Sequence, residues 1–211
     1  MKSKRLGSEI IRLALPATIE NIFQTLVGFF DTLLIAQLGL VAVTAVGLAN
    51  TILNVYLAVF LAIGVGGTAL IARSLGAGQK EKARQYARQT QELSIAGGIV
   101  FGFISIFFGR WMLQAMGASG SALEDAQVFF YWVGGFSLLH ASMTSLGTIL
   151  RATGDTVTPM KVGIITNVTN VLLDYFLIFG FGSWDGLGIL GTALGTIFAR
   201  LLGCYLLTRE V

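Results

Sequence analysis

Residues 167–180 read Asn-Val-Thr-Asn-Val-Leu-Leu-Asp-Tyr-Phe-Leu-Ile-Phe-Gly, an apolar stretch that is long enough to help cross a bilayer. Asn167, Asn170 and Asp174 are spaced i, i+3 and i+7, so a helix places all three on one face. A carboxylate at the centre of a membrane helix costs at least ~2.5–3.5 kcal/mol on insertion scales. Asp174 is therefore a candidate functional residue, and the stretch predicts a membrane-spanning helix.

The composition of the whole chain indicates a polytopic α-helical membrane protein. Of its 211 residues, 55% are hydrophobic and only 12% are charged, whereas a soluble domain needs about 25% charged residues. The long unbroken apolar runs also differ from the alternating pattern of a transmembrane β-barrel. A net charge of +3 does not indicate nucleic-acid binding, because the basic residues flank the apolar segments.

Six segments are apolar enough to cross a hydrocarbon core of ~30 Å, which takes about 20 helical residues. Two of them end in the same way, with a cation followed by a glycine, in Arg73-Ser-Leu-Gly76 and Arg151-Ala-Thr-Gly154. We predict that residues 1–211 form one domain. The predicted helices cover residues 11–38, 43–72, 91–111, 123–150, 159–181 and 187–207.

The basic residues fall almost entirely on one side of these helices. Five lie within residues 73–88, others lie near the amino terminus and at Arg151, and Arg110 lies on the opposite side, beside Glu124. Cytoplasmic loops of membrane proteins carry an excess of Lys and Arg. The sequence therefore predicts a multi-pass protein of the cell (inner) membrane with both termini in the cytoplasm.

Polar residues of four helices are predicted to lie at one depth in the outer half of the membrane. Asp31 and Asp174 each lie ~10 Å from the outer end of their helix, at 1.5 Å per residue. Thr192 falls in the same layer, so we expect a shared cavity. No basic partner is expected there, because Arg200 falls near the cytoplasmic end of its helix. The second helix adds Asn50 and Asn54.

These polar residues have two interpretations. Each amide or hydroxyl alone could simply form a hydrogen bond between helices. Two carboxylates in one cavity could instead take up a proton, or bind Na⁺ together with oxygens of Asn170 and Thr192. His140, the only histidine, cannot build a metal site alone, so we expect a packing role for it and predict neither a metal nor a cofactor.

The first helix carries a second set of candidates. Glu20, Gln24 and Asp31 are spaced i, i+4 and i+11 and share one face. Pro16 removes a backbone hydrogen bond, so it is either a hinge or a proline of the first helical turns. The pairs Gly98-x-x-x-Gly102 and Gly191-x-x-x-Gly195 are interpreted as helix-packing motifs rather than functional contacts.

Three groups of residues together resemble a known family. They are Leu13-Ala-Leu-Pro16 with Asp31-Thr32, Arg151-Ala-Thr-Gly-Asp-Thr-Val-Thr-Pro-Met160, and Asn170-x-x-x-Asp174 with Gly188-Ile-Leu-Gly-Thr-Ala193. They are similar to the first helix, the loop between helices 4 and 5, and helices 5 and 6 of the multidrug and toxic compound extrusion (MATE) family. The aspartates on helices 1 and 5 look most like its DinF-like branch.

This resemblance implies an all-α lobe of six transmembrane helices, one of two lobes in a transporter of about twelve. It implies a secondary active multidrug efflux antiporter, not an enzyme, that exports organic cations or other amphipathic compounds in exchange for H⁺ or Na⁺. By resemblance, the coupling-cation ligands are Asp31, Asn170, Asp174 and Thr192. The residues expected to line or gate the cavity are Pro16, Glu20, Gln24, Asn50, Asn54 and Asn167.

The resemblance covers only the first lobe, whereas alternating access requires two bundles that rock against each other. The expected partners are therefore the lipid bilayer, an organic cation, and either a missing carboxy-terminal lobe or a second copy of the chain. An inactive or dimer-dependent half-transporter is the main alternative.

Two further functions are weaker alternatives. A lipid-linked oligosaccharide flippase of the same superfamily would favour basic cavity residues over Glu20, Asp31 and Asp174. An intramembrane aspartyl protease would carry Tyr-Asp on one helix, whereas Asp174 precedes Tyr175 here.

Overall fold

The computed structural model describes the backbone of residues 2–180 and 185–210, and side chains within those ranges from Leu15 onward, except Ala17. Every regular element in these ranges is an α-helix, which confirms the all-α fold class. The helices are α1 (Lys2–Ala36), α2 (Leu40–Gly76), α3 (Lys80–Ala115), α4 (Gly120–Gly135), α5 (Ser137–Ala152), α6 (Val157–Phe179) and α7 (Ile189–Thr208).

The described helices provide five or six candidate membrane spans. Five are long and apolar enough to cross a bilayer, and α4 with α5 makes a sixth when the two are taken as one broken span. This agrees with a polytopic membrane protein of six transmembrane segments.

The fourth predicted helix, over residues 123–150, is two helices in the structure. α4 and α5 meet at Phe136 with a bend of 48°. Gly134 and Gly135 precede the bend and have low helix propensity, and the Ser137 hydroxyl donates a hydrogen bond to the Gly134 carbonyl. A side-chain hydrogen bond beside a glycine pair weakens the helical ladder, which explains the break.

Several other helix ends differ from the predicted bounds, most of all the starts of α1 and α3. α1 begins at Lys2, not at residue 11. α3 begins at Lys80, not at residue 91, because Gly78 takes a positive φ of 72° and completes the turn after α2 within a few residues. The predicted end of the fifth helix at residue 181 lies outside the described residues. α6 is described to Phe179, and Gly180 follows it with a φ of 78°, a common helix stop.

The core lies between α2, α3 and α4 and holds large aromatic side chains. Phe60 and Phe130 are fully buried, and the ring of Tyr56 stacks on Phe101 with centroids 4.3 Å apart. The Ser105 hydroxyl lies 3.2 Å from the Tyr56 hydroxyl, so the polar end of that ring has a partner. α6 and α7 pack against each other, and α1 packs mainly on α6.

The glycine pair of α3 confirms the predicted helix-packing motif. A Cβ on Gly98 would lie 2.6 Å from the Cα of Leu138 on α5, and a Cβ on Gly102 would lie 2.6 Å from the carbonyl oxygen of Gly135. Both contacts are with backbone atoms, which cannot rotate away. The backbones of α3 and of the α4–α5 bend therefore touch directly at these two positions.

Gly98→Ala should lower the free energy of unfolding by about 2 kcal/mol, because overpacking against a backbone forces the two helices apart. The neighbouring Gly97 provides the control, since its Cβ would lie 3.7 Å from the Phe60 ring, an ordinary contact. Gly97→Ala should be neutral or stabilise by up to ~1 kcal/mol through helix propensity. Thermal unfolding of the purified variants measures both, and equal losses would contradict the close contact at Gly98.

Candidate functional site

A small cavity of about 170 Å³, here called the aspartate cavity, lies between α1, α2, α4, α6 and α7. Asp31 comes from α1, Asp174 from α6 one turn after Asn170, and Thr192 from the start of α7. Asn50 of α2 completes the polar wall, while Ile35, Val46, Phe129 and Val133 supply an apolar one. The structure thus brings together around one cavity the four residues that the sequence proposes as cation ligands.

Several polar atoms of this cavity are buried without a hydrogen-bond partner. Asp174 is only 1% exposed, and within the described residues its Oδ1, the Oδ1 of Asp31 and the Oγ1 of Thr192 accept or donate no hydrogen bond. Buried polar atoms are nearly always paired in folded proteins, and unpaired ones call for an explanation. Carboxylate and hydroxyl oxygens are ligands for hard cations, and a carboxylate also accepts a proton.

Gly195 places α7 directly over Asp174. A Cβ on Gly195 would overlap Oδ1 of Asp174, and a Cβ on Gly191, one turn earlier, would overlap the carbonyl oxygen of Leu177. The second contact confirms helix packing for this glycine pair. Gly195, in contrast, contacts a candidate site residue. The sequence could not reveal this difference, because GxxxG spacing is the same for a packing contact and for a contact with a site residue.

Arg200 also lines the aspartate cavity, so the expectation that no basic residue reaches this layer is wrong. The physical reason is the direction of the side chain. In an α-helix the Cα–Cβ bond tilts toward the amino terminus, so a long side chain at residue 200 extends back toward Thr196 and Thr192. In the described part of the chain Arg200 has no carboxylate oxygen within 4.0 Å of its nitrogens. It contributes positive charge to the cavity without forming an ion pair.

Glu20 and Gln24 line a different and larger cavity of about 380 Å³. Although they share a helical face with Asp31, the 11 residues that separate Glu20 from Asp31 correspond to ~16 Å along α1. Within this cavity Nη2 of Arg151 lies 2.6 Å and 2.8 Å from the two carboxylate oxygens of Glu20. The sequence pattern places Arg151 at a helix end on the basic side of the membrane and gives no sign of this ion pair.

Two glycines make room for this ion pair, which joins α1 to α5 beside α6. A Cβ on Gly163 would lie 3.3 Å from Oε1 of Glu20, and a Cβ on Gly147 would lie 3.2 Å from Nη1 of Arg151. His140 lines the same cavity, with its ring centroid 6.1 Å from that of Phe60.

Arg151→Gln should lower the free energy of unfolding by about 2 kcal/mol, because it leaves the partly buried Glu20 carboxylate without its partner. The pair Arg88–Glu92 is a matched control, since its N–O distance is 2.8 Å but its side chains are 82% and 59% exposed, against 31% and 21% for Arg151 and Glu20. Arg88→Gln should cost less than ~0.5 kcal/mol. If chemical denaturation gives the same loss for both variants, the Glu20–Arg151 pair has no special stabilising role.

The remaining candidates lie elsewhere. Asn54 is exposed and Asn167 is half-buried, and neither lines the aspartate cavity or the Glu20–Arg151 cavity. Pro16 is buried within the continuous helix α1, and its role as a hinge stays a prediction.

Comparison with known proteins identifies relatives of this chain. Residues 16–176 match the model of the family described as MatE. The chain is 34% identical to a probable multidrug resistance protein NorM from Thermotoga maritima, covering 98% of this chain and 44% of that protein. It is 32% identical to the uncharacterized transporter YisQ from Bacillus subtilis, covering 92% and 43% of the two chains. A relative from Shewanella oneidensis named FAD transporter is 27% identical and covers 95% and 44%.

Solved structures agree with this relationship. A MOP superfamily transporter from Pyrococcus furiosus superposes with a TM-score of 0.88 at 26% identity, covering 95% of this chain and 43% of that one. The MATE transporter VcmN from Vibrio cholerae superposes with a TM-score of 0.91 at 24% identity, covering 99% and 47%, and shares the fold. The chain spans less than half the length of these relatives. The apolar helices confirm a multi-pass membrane protein, and the chain belongs to the MATE family, a family of transporters and not of enzymes.

Proposed function

We propose that this chain is the cation-coupled lobe of a secondary multidrug antiporter that exports organic cations or other amphipathic compounds in exchange for H⁺ or Na⁺. The observation that carries the proposal is the pair of carboxylates, Asp31 and Asp174, that line one buried cavity with unpaired Oδ1 atoms. The name of the Thermotoga relative, a probable multidrug resistance protein, supports the same function.

In this proposal the coupling cation binds in the aspartate cavity. Asp31, Asp174 and Thr192 supply oxygens, and Asn170, beside Asp174, supplies its amide oxygen. Two ionised carboxylates together with the Arg200 guanidinium give a net charge of −1, which one monovalent cation neutralises. A proton on either carboxylate, or one Na⁺ among the oxygens, meets this requirement, so we propose one cation for each transport cycle.

The distribution of charges supports an orientation with both termini in the cytoplasm of the cell (inner) membrane. The aspartate cavity then lies in the outer half of the membrane and the Glu20–Arg151 pair in the inner half. Alternating access needs a second bundle. We propose that a second six-helix lobe, or a second copy of this chain, packs against it, with substrate between the two.

The substrate class has two candidates. Carboxylates in the membrane interior suit an organic cation, and the relatives named for multidrug resistance support this class. The Shewanella relative is named FAD transporter, so an anionic dinucleotide is the second class to measure.

The test is transport into everted membrane vesicles that contain the natively expressed transporter. Uptake of ethidium and of FAD is measured with H⁺ or Na⁺ more concentrated inside the vesicles than outside, for wild type, Asp31→Asn, Asp174→Asn and the double variant. Glu124→Gln, an exposed carboxylate on α4, is the matched control.

We expect gradient-dependent uptake of ethidium that both Asn variants abolish and Glu124→Gln preserves. If the double variant keeps wild-type transport and its ion dependence, the cation site is wrong. If FAD accumulates and ethidium does not, the substrate class is wrong but the site assignment can stand.

A further inference from the structure

The basic end of α2 and the basic start of α3 border a groove that neither the aspartate cavity nor the Glu20–Arg151 cavity includes. We propose that this groove binds an anionic phospholipid. Its phosphate would lie between Arg73 and Lys82, and one acyl chain would lie along the apolar surface between α2 and α3.

The headgroup end is a cavity of about 390 Å³ where α2 ends and α3 begins. Arg73 and Lys82 supply two positive charges, and Ser74, Gln79 and Tyr86 supply hydrogen-bonding groups. No carboxylate lines this cavity, and among the described residues neither cation forms a salt bridge. Basic pockets between transmembrane helices at the membrane surface are suited to anionic headgroups.

The nearby Arg88 differs from Arg73 and Lys82 because it has a carboxylate partner, Glu92. One turn further along α3 from Arg84, Arg88 is neutralised by the Glu92 carboxylate at 2.8 Å, whereas the two cations of the headgroup cavity keep their full charge for a ligand. The amino-terminal end of α3, at Lys80, adds the positive end of a helix dipole.

The acyl end is a second cavity of about 340 Å³ that shares Leu70 and Tyr86 with the first, so the two lie side by side. This second cavity lies between α2 and α3 and extends past Gly66 to Ala62. From Arg73 back to Ala62 is 11 residues, or ~16 Å along α2. The lining is mainly apolar, and it leads from the charged end toward the membrane interior.

Two adjacent glycines shape this groove. A Cβ on Gly66 would have no atom within 4 Å, so the groove is open there, whereas a Cβ on Gly67 would overlap the Thr90 side chain and marks where α2 touches α3. A free anion such as phosphate would use only the headgroup cavity. The adjoining apolar cavity therefore favours a lipid, with one charged end and one long apolar chain, over a free anion.

The test measures lipid binding to the purified chain by native mass spectrometry, with dioleoyl phosphatidylglycerol and dioleoyl phosphatidylcholine as probes. Arg73→Gln/Lys82→Gln should weaken phosphatidylglycerol binding about 30-fold, since each interfacial cation contributes about a factor of five or more. Lys80→Gln/Arg84→Gln removes the same charge from the first turns of α3, at residues that line neither cavity, and should cost less than about threefold.

Two further variants separate charge from shape. Arg73→Lys/Lys82→Arg keeps both charges and should keep most of the affinity, which also shows that the fold tolerates changes here. Gly66→Leu places an apolar side chain in the groove, from a Cβ position that has no atom within 4 Å, and should weaken phosphatidylglycerol binding, while the thermal shift produced by inorganic phosphate stays unchanged.

Three results would overturn the proposal. One is an equal loss of phosphatidylglycerol binding in the control pair Lys80→Gln/Arg84→Gln, which would indicate general surface charge. Another is stabilisation by inorganic phosphate equal to that by phosphatidylglycerol, which would indicate a free-anion site. The third is equal binding of phosphatidylcholine. None of these outcomes bears on transport by the aspartate cavity, so this proposal and the proposed function can fail separately.

Discussion

Asp174→Asn should abolish cation-coupled transport while leaving the free energy of unfolding unchanged or up to ~2 kcal/mol higher. Asp174 is 1% exposed, and its Oδ1 has no hydrogen-bond partner among the described residues. An asparagine has nearly the same size and carries no charge, so it removes the cost of burying a carboxylate. It also removes the group that takes up the cation. If the buried carboxylate lowers stability but is needed for transport, Asp174→Asn should abolish transport without lowering the free energy of unfolding.

The measurement pairs transport with thermal or chemical unfolding at neutral pH. Asp155→Asn is the control, because Oδ1 of Asp155 accepts hydrogen bonds from the backbone N–H groups of Val157 and Thr158 at the start of α6. Hydrogen bonds from the Thr158 side chain and backbone lower the pKa of Asp155 below its usual value. A carboxyl whose pKa is lowered by folding stabilises the protein above its ordinary pKa, and that contribution is lost as the pH falls through the lowered value.

Asp155→Asn should therefore destabilise the protein at neutral pH, by less than ~1 kcal/mol because the residue is near solvent, and should leave transport intact. Asp155→Asn should thus lower stability and preserve transport, whereas Asp174→Asn should preserve or raise stability and abolish transport. A loss of stability in Asp174→Asn comparable to that of a core cavity would contradict the view that the carboxylate is buried for function.

The helical architecture could be predicted because the bilayer fixes it. Each span needs about 20 apolar residues, and Arg73-Ser-Leu-Gly76 and Arg151-Ala-Thr-Gly154 mark helix ends by ordinary local chemistry. The bend at Phe136 could not be predicted from hydropathy, because residues 126–150 contain no Asp, Glu, Lys or Arg that would mark a break. The break depends instead on one hydroxyl near two glycines.

For the polar residues, counting positions along a helix predicts the depth of a Cα atom but not the place where a long side chain ends. Asp31, Asp174 and Thr192 could be brought to one depth by counting residues, since every helix rises 1.5 Å per residue. The predicted depth of Arg200 is wrong because it is the depth of the Cα atom. The guanidinium lies several bonds away and nearer to the amino terminus of the helix. The partner of Glu20 lies 131 residues away in sequence, and no local pattern links the two.

Gly195→Ala should abolish transport and lower the free energy of unfolding by about 2–3 kcal/mol, because its Cβ would overlap Oδ1 of Asp174. The carboxylate would have to rotate within a cavity of only about 170 Å³, away from the positions of Asp31 and Thr192. Gly47→Ala on α2 is the matched control, since a Cβ there meets no atom within 4 Å. It should be neutral or slightly stabilising, in line with helix propensity.

A double-mutant cycle identifies the atom responsible for the loss in Gly195→Ala. In an Asp174→Ala background the overlapping oxygen is gone, so adding Gly195→Ala should cost little, and the coupling between the two positions should be about 1–3 kcal/mol. Additive losses would instead mean that Gly195 is needed for the approach of the α6 and α7 backbones, as Gly191 is against Leu177. In that case the second glycine of the pair would be a packing residue only. Strong coupling would mean that Gly195 is needed to leave space for the Asp174 carboxylate. This is expected if that carboxylate binds the coupling cation.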